Sequence, residues 1–127
     1  MRIEHLAIWT KNIEALRAFY IKYFGATSND VYRNPTKNFQ SYFLSFGTGC
    51  RLELMQKPEI PENRNLGEAI GITHFAFTVG SEASVNDLAE RLRQDGHRIV
   101  GEPRWTGDGY YESVVLDPEG NRIEICA

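Results

Sequence analysis

Ile3-Glu4-His5-Leu6-Ala7-Ile8, near the start of the chain, returns 69 residues later as Ile72-Thr73-His74-Phe75-Ala76-Phe77. A second stretch repeats as well. Gly47-Thr48-Gly49-Cys50-Arg51-Leu52-Glu53-Leu54-Met55 matches Pro118-Glu119-Gly120-Asn121-Arg122-Ile123-Glu124-Ile125-Cys126 at an offset of 71, and Gly25 and Gly96 stand 71 apart too. Self-similarity of this kind marks duplicated supersecondary units. Each half reads as a His-bearing segment, a helix, a glycine, a variable middle and an Arg-apolar-Glu-apolar end. Between the halves, Gln56–Gly71 carries Pro58, Pro61, Asn63, Asn65, Gly67 and Gly71 without an aromatic residue, which is linker composition.

Local patterning fills in the units. Residues 3–9 alternate and are rich in apolar side chains, as a strand requires. Asn12 is placed to cap a helix whose apolar face is Ile13, Leu16, Phe19, Tyr20, Tyr23 and Phe24, ended by Gly25. A weak strand near 27–33, a loop at Pro35, and strands at 40–46 and 50–56 around the Gly47-Thr48-Gly49 turn complete the first half. The second half repeats the plan. It has a strand at 72–79, a helix near 83–95 with Val85, Leu88, Ala89 and Leu92 inward, and strands near 97–101, 110–117 and 122–126. Asp117-Pro118-Glu119-Gly120 suits a type I turn before the last strand. The expected fold is α+β: two βαβββ modules, 1–56 and 71–127, with a linker at 57–70, forming curved mixed sheets in one domain over 1–127.

Alternation also sorts side chains by face. His5 shares a face with Ile3, Ala7 and Trp9, and His74 with Ala76 and Thr78. Glu53 goes with Arg51 and Met55, and Glu124 with Arg122 and Cys126. The opposite rows, Leu6, Ile8, Leu52, Leu54, Phe75, Phe77, Ile123 and Ile125, can pack beneath the helices. Two of the three histidines and two carboxylates are thereby left on the other face. Such a mixed N/O donor set suits Zn, Ni, Co, Mn or Fe with positions open for water or substrate. The plainer alternative is two unrelated His–Glu hydrogen-bonded pairs. The symmetric placement favours the metal, as does the cost of setting a carboxylate between Leu52 and Leu54, or Ile123 and Ile125, without a partner.

Composition narrows the classes. With 14 Lys+Arg against 17 Asp+Glu in 127 residues, the net charge of −3 gives no general attraction to nucleic acid or to an anionic membrane. Apolar runs fall far short of the ~20 residues that span a bilayer. Glu4 and His5 stand where a signal peptide would be apolar. Two cysteines, Cys50 and Cys126, without a Cys-x-x-Cys, argue against a disulfide framework or thiolate zinc site, so a reduced, cytoplasmic protein is expected.

Taken together, the paired modules, His5, Glu53, His74 and Glu124, and the ending Asp117-Pro118-Glu119-Gly120-Asn121-Arg122-Ile123-Glu124 resemble the vicinal oxygen chelate superfamily. This is the glyoxalase I, bleomycin-resistance and dioxygenase group, and the small bacterial glyoxalase I-like (lactoylglutathione lyase-like) proteins are the nearest type. The resemblance implies a metal, usually Zn or Ni, on His5, Glu53, His74 and Glu124. It also implies Glu124, and by symmetry Glu53, as the base that moves a proton by way of an enediolate. The substrate would be a hemithioacetal or another 2-hydroxycarbonyl compound, and the enzyme a homodimer whose sites draw on one chain or both. Ring-cleaving Fe(II) dioxygenases of the group use two His and one carboxylate, and antibiotic-binding members generally lack the ligands. Trp9 stands where many glyoxalase I enzymes have an Arg for glutathione, and no Asn follows Glu53, so the resemblance does not extend to glutathione as the thiol.

Other residues read less sharply. Trp9, Met55, Tyr42, Phe46, Trp105, Tyr110 and Tyr111 are candidates for a substrate pocket, but core or contact roles come first. Arg51 and Arg122 are candidates to hold a substrate anion, with an ion pair to the nearby Glu as the alternative. His97 has no partner in the repeat and reads as a surface residue, and nothing marks Cys126 as a nucleophile. Arg104-Trp105-Thr106-Gly107-Asp108-Gly109 has the composition of a mobile loop suited to covering a site.

Overall fold

The computed structural model describes residues 1–61 and 70–127. Most of the expected linker, residues 62–69, lies outside the described residues. The chain divides into two compact units, Met1–Asn63 and Arg64–Ala127. Among the described residues, no helix is long and apolar enough to cross a membrane.

The first unit runs β1 (His5–Trp9), α1 (Ile13–Phe24), β2 (Thr27–Ser28), β3 (Tyr32–Asn34), a 3₁₀ turn at Pro35–Lys37, β4 (Phe39–Ser45) and β5 (Arg51–Gln56). The second runs β6 (Phe75–Thr78), α2 (Glu82–Gln94), β7 (Ile99–Trp105), β8 (Tyr111–Leu116) and β9 (Arg122–Cys126). The sheets are ordered β1-β5-β4-β2, with β3 also on β4, and β6-β9-β8-β7. In each unit the first strand lies parallel to the last, which in turn pairs antiparallel with the strand before it. The fold is therefore the expected α+β pair of mixed sheets, each backed by one helix.

The helices begin and end for the predicted reasons. Asn12 accepts a hydrogen bond from the Ala15 N–H, and Gly25 closes α1 in the left-handed region at φ 64°. Ser81 caps α2 in the same way, accepting from Ser84 N–H. Ile13, Leu16, Phe19, Tyr20 and Tyr23 are buried in the first unit with Leu44, Leu52 and Leu54. Val85, Ala89 and Leu92 are buried in the second with Val115, Ile123 and Ile125. Leu16, Tyr20 and Tyr23 precede Val85, Ala89 and Leu92 by 69 residues, whereas Leu52 and Leu54 precede Ile123 and Ile125 by 71. The offset changes between Leu92 and Gly96, where Gln94 and Asp95 are exposed.

Three local departures have identifiable causes. The expected strand at 27–33 is split into β2 and β3. At the break Asn29 donates its N–H to Phe43 O while its side-chain Oδ1 accepts from Phe43 N–H at 2.7 Å, so a side chain replaces one rung of the ladder. Strand β7 continues past 101 to Trp105, with register shifts on either side of Gly101. A Cβ at Gly101 would stand 3.0 Å from Val114 Cγ2, so glycine lets β7 approach β8 there without a shift of the Val114 side chain. Arg104 and Trp105 thus belong to β7. Thr106–Tyr110 forms a tight connection in which Thr106 N–H donates to Tyr110 O, and Tyr110 N–H donates to Thr106 Oγ1, rather than a long loop. The β8–β9 turn forms as expected. Gly120 N–H donates to Asp117 O at 2.9 Å, and the buried Asp117 carboxylate accepts from Glu119 N–H, Asn121 N–H and Asn121 Nδ2.

Leu54, fully buried at the centre of β5, reports on the first unit's core. Leu54→Ala should destabilise the protein by about 2–5 kcal/mol, read as a lower urea midpoint at unchanged slope.

Candidate metal centre

Strand pairing settles which side chains are neighbours. In the first unit Ala7 lies opposite Glu53 and His5 opposite Arg51. In the second Ala76 lies opposite Glu124, and His74 immediately precedes β6. A histidine two residues before a small alanine therefore leans toward a carboxylate on the adjacent strand in both units. Alanine leaves the space between them open. His5 Nε2 is 3.8 Å from Glu53 Oε2, and His74 Nε2 is 3.2 Å from Glu124 Oε2. The imidazoles are about two-fifths exposed (40% and 41%), the carboxylates 15% and 19%. The same atom of each ring is thus presented to a sheltered carboxylate twice over.

These pairs fit a divalent ion by donor chemistry and by spacing. Imidazole nitrogen and carboxylate oxygen are both hard-to-borderline donors, and two ligands each about 2.0–2.2 Å from one ion stand roughly 3–3.5 Å apart. The pair in the second unit meets that spacing, and the one in the first is a few tenths of an ångström wider. Each expected pair, His5 with Glu53 and His74 with Glu124, is brought together within its own unit.

The surroundings of the two pairs differ. In the first unit the His5 ring meets Phe43 edge-on, with centroids 5.4 Å apart, and the Arg51 guanidinium lies 4.2 Å from the centre of the same ring. Arg51 pairs with Glu4 rather than with Glu53, and Glu4 also accepts from His5 Nδ1. The hydrogen bond from His5, helped by Arg51, holds the Glu4 carboxyl below the ordinary carboxylate value. In the second unit Glu112, Glu124 and Cys126 present potential ligand atoms within 4.8 Å of one another. Glu112 is buried on β8 directly opposite Cys126, with Arg104 Nη2 at 3.4 Å. Burial first, then Glu124 and Glu112, raises the Cys126 thiol above its ordinary value.

Glu4 and Glu112 were not among the residues singled out from the sequence. Glu112 had a signal, a carboxylate inside the apolar run Tyr111–Leu116. Glu4 had none, because strict alternation turns it away from His5. Arg122 is half-buried in β9 at the place matching Arg51, and Thr73 stands where the first unit has Glu4. Of the aromatic candidates, Trp9 is 40% exposed, edge-on to Phe39, with Lys57 Nζ 5.2 Å from its ring. Met55 is half-buried beside it on β5, and Trp105 and Tyr110 are exposed. Tyr42 belongs to the core under α1. Its hydroxyl donates to Glu14 Oε1 at 2.6 Å, and that bond, with burial, raises the phenol above its ordinary value. Phe46 packs edge-on against Tyr20. His97 is half-buried, its N–H bonded to Leu92 O.

Comparisons with known proteins identify the family and the fold. The sequence model described as Glyoxalase/Bleomycin resistance protein/Dioxygenase superfamily matches residues 2–125. The uncharacterized protein YwkD of Bacillus subtilis (strain 168) is 34% identical over 91 residues, which is 70% of each chain. Among solved structures, a glyoxalase family protein from Enterococcus faecalis superposes with a TM-score of 0.81 at 26% identity, covering 99% of this chain and 97% of that one. Glyoxalase I from Zea mays superposes with a TM-score of 0.80 at 23% identity, over 98% of this chain and 44% of that one, a likeness of fold.

Two outcomes follow. In metal-free protein the exposed Cys50 should be alkylated by iodoacetamide well before Cys126 at neutral pH, as read by peptide mass spectrometry. The raised Tyr42 phenol contributes stability that is full below the unfolded value of about 10 and is lost as pH rises through the folded value. Tyr42→Phe should therefore flatten the alkaline fall of the urea midpoint.

Proposed function

The chain belongs to the Glyoxalase/Bleomycin resistance protein/Dioxygenase superfamily, and on that premise we propose that it is a metal-dependent, glyoxalase I-like lyase or isomerase. His5, Glu53, His74 and Glu124 are the ligands, and Zn or Ni is the favoured ion, ahead of Co, Mn or Fe. The observation that carries this reading is the His–Glu pairing made twice, in the same strand register, with Nε2 turned to the carboxylate both times. A dioxygenase triad needs one carboxylate, and a binding module needs none. The reading has the protein in the cytoplasm as a homodimer, its sites drawing side chains from one chain or from both.

When bound, a divalent ion supplies Lewis acidity to two adjacent oxygens of the substrate. The rest of the chemistry belongs to the chain. Glu124 takes a proton from the carbon beside the carbonyl and returns it to the neighbouring carbon, and Glu53 has the same reach by the repeat. Their low exposure keeps water from competing for that proton. The more open histidines hold position without taking part in the transfer. Arg122 is the better candidate for a substrate anion, since no carboxylate stands at position 73 to engage it as Glu4 engages Arg51. Trp9 and Met55, partly open on the His5 face, are candidates to line the apolar side of the site. Hemithioacetals and other 2-hydroxycarbonyl compounds meet these requirements.

The test uses protein loaded in turn with Zn²⁺ and Ni²⁺. Methylglyoxal with a panel of thiols should give thioester, and 2-hydroxycarbonyl compounds should exchange their α-protons in D₂O only when metal is present. His74→Ala should abolish both metal retention and exchange, and Glu124→Gln should lower exchange by at least 100-fold. Oxygen uptake with catechols and no exchange would sink the proposal, as would ligand binding that is indifferent to His5→Ala.

A further inference from the structure

The two histidines are not held alike. Glu4 takes the Nδ1–H of His5 on one carboxylate oxygen and Arg51 on the other, and the Arg51 backbone N–H donates to Glu4 O at 3.0 Å. Arg51 and His5 both pack on the Phe43 ring. Glu4 is thus fixed at two points to the strand that carries Glu53 and at a third to His5 itself. An ionised carboxylate can only accept, so the His5 ring must carry its proton on Nδ1. That leaves the Nε2 lone pair free on the side facing Glu53. The second unit has Thr73 in place of Glu4.

We infer that Glu4 is a positioning residue for His5: with Arg51 as its anchor, it sets the tautomer and rotation of the ring so that Nε2 is ready to bind a divalent cation. The inference deepens the proposed metal site and rests on that reading for its purpose. Carboxylates hydrogen-bonded to the far nitrogen of a ligand histidine typically govern metal affinity by about 10–100-fold. The asymmetry has a direct reading: His5 is oriented by a neighbouring carboxylate before the metal arrives, a role that Thr73 cannot fill beside His74.

Nitrogen-detected NMR of the three histidine rings separates this role from a structural one. The sample is metal-free protein at mildly alkaline pH, as wild type, Glu4→Ala and Glu4→Gln, with Glu102→Ala as a remote exposed-carboxylate control. Wild-type His5 should show the Nδ1–H tautomer. Glu4→Ala should move it toward the Nε2–H form, Glu4→Gln should keep part of the wild-type signature through its amide oxygen, and the His74 signals should not move. Zn²⁺ affinity, by competition with a chelator, should fall by about 10–100-fold in Glu4→Ala and stay unchanged in Glu102→Ala. An unaltered His5 tautomer or undiminished Zn²⁺ affinity in Glu4→Ala overturns the inference. Wild-type protein that takes up no Zn²⁺ or Ni²⁺ overturns the metal site, while the ring signals still decide the part assigned to Glu4.

Discussion

The parallel pairing of the first and last strand in each module is the constraint on which everything else depends. Side chains alternate along a strand with a period of two, so a slip of one residue between β1 and β5 would send Glu53 into the core and bring Leu52 or Leu54 out. The register Ala7–Glu53, repeated as Ala76–Glu124, is held from beneath by buried leucines and isoleucines under each helix. The apolar packing therefore fixes the position of the polar groups. Neither carboxylate needs a binding partner to bring it to its place. What alanine adds is room, since a bulkier residue there would stand between imidazole and carboxylate.

Most of this was legible in the sequence because it rests on period and spacing. The repeat, the helix caps Asn12 and Gly25, the buried Leu52, Leu54, Ile123 and Ile125 and the two His–Glu pairings all follow from alternation and from small side chains at defined offsets. Leu6, Ile8, Phe75 and Phe77, expected in the same rows, are only half-buried. What escaped was where a side chain acts outside its period. Asn29 breaks a strand by lending its amide oxygen to Phe43 N–H, and such a substitution of side chain for backbone has no periodic signature. Glu4 lies just before β1, beyond the range where alternation holds, and its side chain bends back to His5. Trp105 was read with a glycine-rich loop, yet the strand continues to it across shifts that Gly101 permits. Composition sees the glycines and misses the two-residue rungs between them.

Superposing one module on the other in sequence shows where they have diverged chemically. Phe43, Ser41 and Met55 in the first correspond to Val114, Glu112 and Cys126 in the second, all on the faces that carry the donors. One face is aromatic and sulfur-rich, with Arg51 stacked upon it. The other is acidic, with a buried Glu112 balanced by Arg104 and a thiol kept protonated beside two carboxylates. The shared scaffold thus surrounds its two His–Glu pairs differently in the two units.

The change of offset from 69 to 71 has a consequence of its own. Every buried residue of α2 keeps the spacing of the strand before it, and every residue of β9 keeps the new one, so the two additional residues fall between Leu92 and Gly96, where the chain is exposed. The difference in length between the two copies therefore falls where neither helix phase nor strand register is disturbed. That joint is accordingly the permissive position of the scaffold. A peptide tag or sensor element spliced there would extend the chain without rotating the helix before it, whereas one residue added within β9 ahead of Glu124 would turn that carboxylate to the opposite face of the sheet.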